Sequence, residues 1–241
     1  DKIKHWYNGY RWDADEETMY NPFSILRFFS DRGKFQNFWF ATGTTTFLME
    51  MTREHRFYDL SNITANTLLL SSFDIENLEP IPILFQTGYL TIKHYDPLFQ
   101  QYHLDYPNFE VRSAFLQYLT RSYMYSTINQ AQTLPSDMLI ALKKRDTEQL
   151  KSSINAAFTH IPYPLWEKEN EHFYHAIIHL LFSLLGVYIH SEVNTKNGRA
   201  DAIIIIEEGV FCLEFKLDKT AQQAIDQIQH KGYLDAYRDK G

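Results

Sequence analysis

A chain of 241 residues with 44% hydrophobic and 16% aromatic content can bury one large or two modest cores, which excludes a disordered segment. The absence of a run of about eighteen apolar residues and of a basic-then-apolar leader argues against membrane insertion and secretion. The single cysteine, Cys212, cannot form an internal disulfide, so the expectation is a cytoplasmic chain with no membrane partner. A net charge of −7 argues against a broadly basic nucleic-acid surface, although a site that handles phosphates through a metal brings its own carboxylates. Starting at Asp1 rather than Met, and stopping at Lys240-Gly241 directly after a helical pattern, the sequence reads as a fragment.

The N-terminal segment is rich in aromatics: Trp6, Tyr7, Tyr10, Trp12, then Tyr20-Asn21-Pro22-Phe23. Asn21 can cap a helix whose first position is Pro22, so the spacing predicts a short amphipathic helix through Ile25, Leu26, Phe28 and Phe29, ended by Gly33. Phe38-Trp39-Phe40 leads into Thr42-Gly43-Thr44, and another helix carries Phe47, Leu48 and Met51. These aromatics are expected to pack as core rather than to form a base-stacking platform. From Ile83 a helix end passes through Gly88 into a strand at Tyr89-Leu90-Thr91-Ile92. A second strand near Tyr102-His103-Leu104 completes a small hairpin on a helical unit.

At Pro107-Asn108 a helix begins and runs through Val111, Phe115, Leu116, Leu119 and Tyr123. The helical period continues through Met138, Leu139, Leu142, Leu150 and Ile154, and Asp146 with Gln149 resembles a capping box separating two helices. The triplet Lys143-Lys144-Arg145 reads as a solvated helix end. Ile161-Pro162-Tyr163-Pro164 is rigid, extended punctuation between domains. Beyond it, a helix from about Trp166 to Leu185, closed by Gly186, is apolar on both faces, and Glu171 and His175 fall on the face of Ile178, Phe182 and Leu185. A strand from Val187 to Thr195, one from Ala200 to Ile206 or Glu207, one from Val210 to Lys216 and a helix from about Asp218 to Tyr237 follow. The chain is therefore expected to be α+β.

The chemistry concentrates between Asn197 and Tyr233. Asp201 and, after twelve intervening residues, Glu214-Phe215-Lys216 place two carboxylates and a lysine on short apolar strands, where charge is expensive unless paired. Glu214 and Lys216 share one strand face. A two-residue turn at Glu208-Gly209 would set Ile203 opposite Glu214 and Asp201 opposite Lys216, all on one side. A three-residue turn would pair Ala202 with Glu214 and turn Asp201 away unless a bulge restored the phase. Asp201, Glu214 and the main-chain carbonyl of Phe215 would make a hard-oxygen site for Mg²⁺ or Mn²⁺, able to activate a water and to neutralise charge on a phosphoryl group. Lys216 would stabilise that charge or help deprotonate the water. Glu171 is the natural third acid, and His175, one turn on, could share or take its role. On the last helix Gln223, Gln227 and Lys231 form a polar stripe opposite Ala221, Ile225 and Ile228, which suits either a phosphate backbone or solvent. The competing reading of the whole centre is a strand-edge salt bridge between Lys216 and Asp201 or Glu214.

At these residues the chain resembles the PD-(D/E)XK nuclease superfamily, whose core is a helix, a strand meander carrying D…(D/E)-x-K, and a helix. More narrowly, it resembles bacterial proteins in which such a nuclease-like domain follows an AAA-ATPase-like region. The similarity rests on Gly198-Arg199-Ala200-Asp201, Glu214-Phe215-Lys216-Leu217, Ala224 through Gln227-Ile228, and Lys231-Gly232-Tyr233. In the first half it rests on Trp6-Tyr7-Asn8-Gly9-Tyr10, Tyr20-Asn21-Pro22, Thr42-Gly43, Phe85-Gln86-Thr87-Gly88-Tyr89-Leu90-Thr91 and Tyr106-Pro107-Asn108-Phe109-Glu110-Val111-Arg112.

The resemblance implies that residues 1–105 are the C-terminal part of an ATPase-like region, 106–160 a helical connector, and 161–241 a truncated restriction-endonuclease-like α/β core. It implies an Mg²⁺- or Mn²⁺-dependent nuclease with Asp201, Glu214 and Phe215 at the metal, Lys216 with Glu171 or His175 as catalytic groups, and Arg199, Gln227 and Tyr233 toward the nucleic acid. DNA and RNA remain alternatives, and oligomerisation is left open. An N-terminal ATPase core of the same protein is the implied partner; ATP would bind only there, since no G-x-x-x-x-G-K-[ST] phosphate loop occurs here. Two further departures are Ala200 in place of the superfamily's eponymous proline, and the absence before Gly241 of a core strand expected after the final helix. The alternative function is a catalytically inactive nuclease-like fold that binds a partner or nucleic acid.

Overall fold

The computed structural model of the chain describes residues 1–14, 17–39, 46–55, 58, 60, 63–71, 79–124, 128–159, 161, 171–184, 186, 188–191, 194–195, 198–200, 202–214, 216 and 220–240. Two compact units, Asp1–Leu119 and Thr120–Gly241, divide it, the boundary falling inside a helix. Both combine helices with small antiparallel sheets, the α+β class the sequence predicts. Among the described residues no helix is long and apolar enough to cross a membrane.

In the first unit α1 (Lys2–Tyr7) runs directly into β1 (Asn8–Tyr10), which pairs with β2 (Met19–Tyr20). Gly9 sits at φ +131, and a Cβ there would overlap the Pro107 carbonyl oxygen, so the close approach requires glycine. Helix α2 (Pro22–Ser30) starts as predicted, with Asn21 Oδ1 accepting from the Ser24 amide at 3.1 Å and Pro22 in the first position. One side of α2 packs Phe28 against Tyr7 and Phe38, with Ile25 and Phe35 alongside. The other side leaves Phe23, Leu26 and Phe29 exposed, as are Trp12 and Tyr20, so only part of the aromatic set is core.

Helix α3 (Thr46–Glu54) buries Leu48, Met49, Met51 and Thr52; Phe47, expected inside, lies about 120° around the helix from the middle of that stripe and is exposed. Strand β3 (Ile63–Asn66) and the short α4 (Thr67–Ser71) precede α5 (Pro80–Gln86). The predicted hairpin is β4 (Thr91–Asp96) and β5 (Gln101–Asp105), and β3 adds a strand on the far side of β5, giving the order β3-β5-β4. Helix α6 (Phe109–Met124) opens with Asn108 Oδ1 accepting from the Val111 amide at 3.0 Å. In its first turn the fully buried Glu110 accepts on Oε1 from the main-chain amides of Phe38 at 2.6 Å and Trp39 at 3.0 Å. Burial pushes its carboxyl above the usual range, against the opposing pull of Ser24 and those amides.

The second unit carries α7 (Ile128–Lys144) and α8 (Thr147–Phe158), joined at a corner where Arg145 takes φ +53 and Asp146 Oδ1 accepts from the Gln149 amide at 2.9 Å. Helix α7 runs through Pro135, which supplies no amide to the helix ladder there. Helix α9 (Glu171–Leu184) is buried on both faces as predicted, from Phe173 to Phe182, and packs on α7 and on a strand. Gly186 at φ +70 closes it. The proline segment 162–164 and the first residues of the predicted helix, 166–170, lie outside the described residues. The strand expected from Val187 to Thr195 is two, β6 (Tyr188–Ser191) and β7 (Asn194–Thr195), the latter pairing with β8 (Gly198–Arg199). Strands β9 (Ala202–Ile206) and β10 (Gly209–Leu213) join β6 in an antiparallel sheet of order β10-β9-β6.

Candidate active site at the end of the β9–β10 hairpin

The hairpin register decides which charged groups can meet. Gly209 pairs with Ile206 and Leu213 with Ala202, so the turn has two residues but comprises Glu207-Glu208, one position earlier than predicted. Gly209, at φ +149, is the first residue of β10 rather than a turn residue, because its backbone conformation lets the strand begin there. The pairing moves by two in its sum of positions, so Ile203 opposes Cys212 in place of Glu214. Asp201 itself lies outside the described residues, as does Phe215.

The turn is gripped from α7. Lys143 Nζ lies 3.1 Å from Glu208 Oε1, and Arg145 donates to the Glu208 carbonyl at 3.1 Å. The Lys143 ammonium hydrogen-bonded to it holds the Glu208 carboxyl below the usual range. Two of the three basic residues expected to be a solvated helix end therefore contact the hairpin. A cavity of about 200 Å³ lies beside this grip, walled by Leu142, Leu150, Val210 and Phe211, at the turn end and away from the charged groups.

At the other end, Glu214 emerges from β10 with its side chain 1% exposed and Lys216 with 17%. Lys216 Nζ donates to Glu214 Oε1 at 2.5 Å, and Gln227 Nε2 donates to the same oxygen at 2.5 Å. Gln227 is delivered by α10 (Ala221–Lys231), whose start is a capping box: Thr220 accepts from the Gln223 amide and the Gln223 side chain accepts from the Thr220 amide. Gln223 is thus occupied in holding the helix start, and Thr-x-x-Gln was the readable signal for it. The buried face of α10 is Ala224 with Ile228, so Ile225 and Ala221, expected on the apolar side, are exposed and Gln227 turns inward.

The helix ends at Lys231, short of the predicted Tyr237, because Gly232 adopts the left-handed conformation at φ +61. That reversal sends Tyr233, 1% exposed, back into a cluster with Ala200 and Ile203, against Ile228 and Cys212. Its hydroxyl accepts from Gln227 Nε2 at 3.0 Å. A short 3₁₀ helix, Asp235–Lys240, follows.

Four of the sequence-selected residues, Glu214, Lys216, Gln227 and Tyr233, are therefore brought together as one chain of contacts on an apolar floor. Breaking such a buried charge pair strands one charge, a loss of about 3–5 kcal/mol. Glu171 and His175 are placed in α9 and Arg199 in β8, but their side chains lie outside the described residues. Among the described residues no group of three or more His, Cys, Asp or Glu side chains comes together. The oxygen donors selected from sequence suit a hard divalent ion, and of them the structure describes the Glu214 carboxylate, which is buried.

Residues 169–241 match the PD-(D/E)XK nuclease superfamily. Over 255 aligned residues the chain is 35% identical to an uncharacterized protein in the vnfD 5′ region of Azotobacter chroococcum mcd 1. That alignment covers 100% of this chain and 48% of the relative, so the chain spans about half of the relative's length. No solved structure matches it.

Proposed function

We propose that the second unit is a metal-dependent phosphodiesterase, a nuclease acting on DNA or RNA, linked in its full-length protein to an ATPase-like module. The observation that carries this reading is the buried Glu214–Lys216 pair, held by Gln227 and Tyr233 inside a segment that matches the nuclease superfamily. Nucleases of that superfamily are generally dependent on a divalent metal. Asp201, Glu214 and the Phe215 carbonyl would hold Mg²⁺ or Mn²⁺, whose chemistry when bound is Lewis-acid neutralisation of phosphoryl charge and acidification of a water.

The chain's own groups then divide the work. Lys216 donates to the Glu214 carboxylate, and its ammonium would serve an attacking water or a phosphoryl oxygen. Gln227 holds the orientation of Glu214, and Tyr233 holds Gln227. The near-complete burial of Tyr233 supports this positioning part, beside the contact toward nucleic acid that the sequence resemblance implies. Glu171 or His175, from the helix before the meander, completes the acid–base set, and Arg199 contacts substrate phosphate.

The test is cleavage of plasmid DNA, single-stranded DNA and RNA by the full-length protein with Mg²⁺ or Mn²⁺, against Asp201→Ala and Lys216→Ala at equal folded fraction. Losses of about 10²–10⁴-fold in both variants are expected. Equal cleavage by wild type and both variants places the activity elsewhere, and no cleavage under any condition favours a nuclease-like binding module.

A further inference from the structure

The β4–β5 hairpin of the first unit carries a pair of histidines that the nuclease reading does not use. Thr91 opposes Asp105 and Ile92 opposes Leu104, and an uninterrupted ladder would next set Lys93 against His103. A bulge instead takes Lys93 out of register and brings His94 opposite His103. Bulges re-aim side chains in this way. Lys93 Nζ meanwhile donates to the Pro107 carbonyl at 3.2 Å, and the Asp105 carboxylate supports its charge. The two imidazoles lie with centroids 5.7 Å apart. Their face of the sheet is the open one: His94 is exposed and His103 half-buried, whereas Ile92 and Leu104, on the opposite face, are buried.

We propose that His94 and His103 form a surface chelate for a borderline divalent cation of the Zn²⁺, Cu²⁺ or Ni²⁺ class. Imidazole nitrogens suit these ions, whereas the all-oxygen set at Glu214 suits Mg²⁺ or Mn²⁺. One ion bound at about 2.0–2.1 Å to a nitrogen of each ring fits a pair at this spacing. Asp96 lies two residues from His94, on the same face, and favours a cation there. Among the described residues no third ligand closes the set, so water completes the coordination and the ion stays exchangeable.

The probe is Zn²⁺ itself, titrated into the protein with Mg²⁺ in excess while the histidine ring nitrogens are followed by NMR. One equivalent is expected to move the His94 and His103 signals together. Altering the outer shell of a metal site already costs about 10–100-fold in affinity, so removing a ligand in His94→Ala or His103→Ala should weaken binding by about 100-fold. Glu214→Gln should bind Zn²⁺ as wild type does. Ring signals that stay in place, unchanged affinity in both histidine variants, or loss of Zn²⁺ binding in Glu214→Gln would each overturn the proposal. Loss of nuclease activity does not enter the readout, so the two proposals fail separately.

Discussion

Each unit buries a glutamate, and the two are held by different kinds of partner. Glu110 is fixed by main-chain amides of Phe38 and Trp39, groups that cannot leave without unmaking the local fold. Glu214 is held by the side chains of Lys216 and Gln227, which can rotate to new partners. Both carboxylates cost free energy to bury; the first is offset in part by fixed main-chain donors and the second by side chains. A carboxylate of the second kind, just past the end of a strand and beside a lysine, is the one the proposed function uses.

The largest effect is expected at Glu110. Glu110→Ala leaves two buried amides without an acceptor and should lower stability by about 2–5 kcal/mol in urea unfolding, while Glu110→Gln retains an acceptor and most of the stability. The same position has a pH signature. Its folded-state carboxyl is raised above the ordinary 4.5, so the protonated form is favoured by folding. That contribution is complete below pH 4.5 and is lost as pH rises through the folded value. Wild type should therefore lose stability relative to Glu110→Gln on going from pH 4 to higher pH, as read by thermal unfolding; parallel pH profiles would contradict a burial-dominated Glu110.

A smaller effect is expected at Tyr233. Tyr233→Phe removes the acceptor for Gln227 with the ring packing kept, and should cost about 0.5–1.5 kcal/mol. If Tyr233 positions the site through Gln227, kcat falls with little change in KM; an unaltered kcat reduces the phenol to packing. Lys143→Ala comes last. It breaks an exposed grip on Glu208 and should cost less than about 1 kcal/mol, a difference that fades with added salt in unfolding measurements.

Much of this arrangement is legible locally. Asn21, Asn108 and Asp146 announce helix starts because a short side-chain acceptor satisfies an amide three residues on, and the structure has all three contacts. Alternation along a strand expected to reach Lys216 puts Glu214 and Lys216 on one face; the strand ends at Leu213, and the two side chains meet just beyond it. What escapes is set by partners far away in sequence. The grip of Arg145 on Glu208 spans 63 residues. Gln227 reads as part of a stripe suited to a phosphate backbone or to solvent, whereas in the fold it donates to Glu214, thirteen positions back. Strand β3 is four residues long and is defined by its pairing to β5 rather than by its own pattern. The turn slipped by one because Glu-Gly looks like a turn pair, while Gly209 serves the strand's first position.

The central claim is that the Glu214–Lys216 pair is a reaction centre and not a structural salt bridge. Glu214→Gln keeps the shape and an acceptor for both donors, so it separates the two directly when metal-dependent cleavage and thermal unfolding are measured on the same full-length preparation. At equal folded fraction cleavage is expected to fall by about 10²–10⁴-fold, and stability by up to about 3–5 kcal/mol because the Lys216 ammonium loses its charged partner. A variant that cleaves as wild type does, with only its stability reduced, would contradict it.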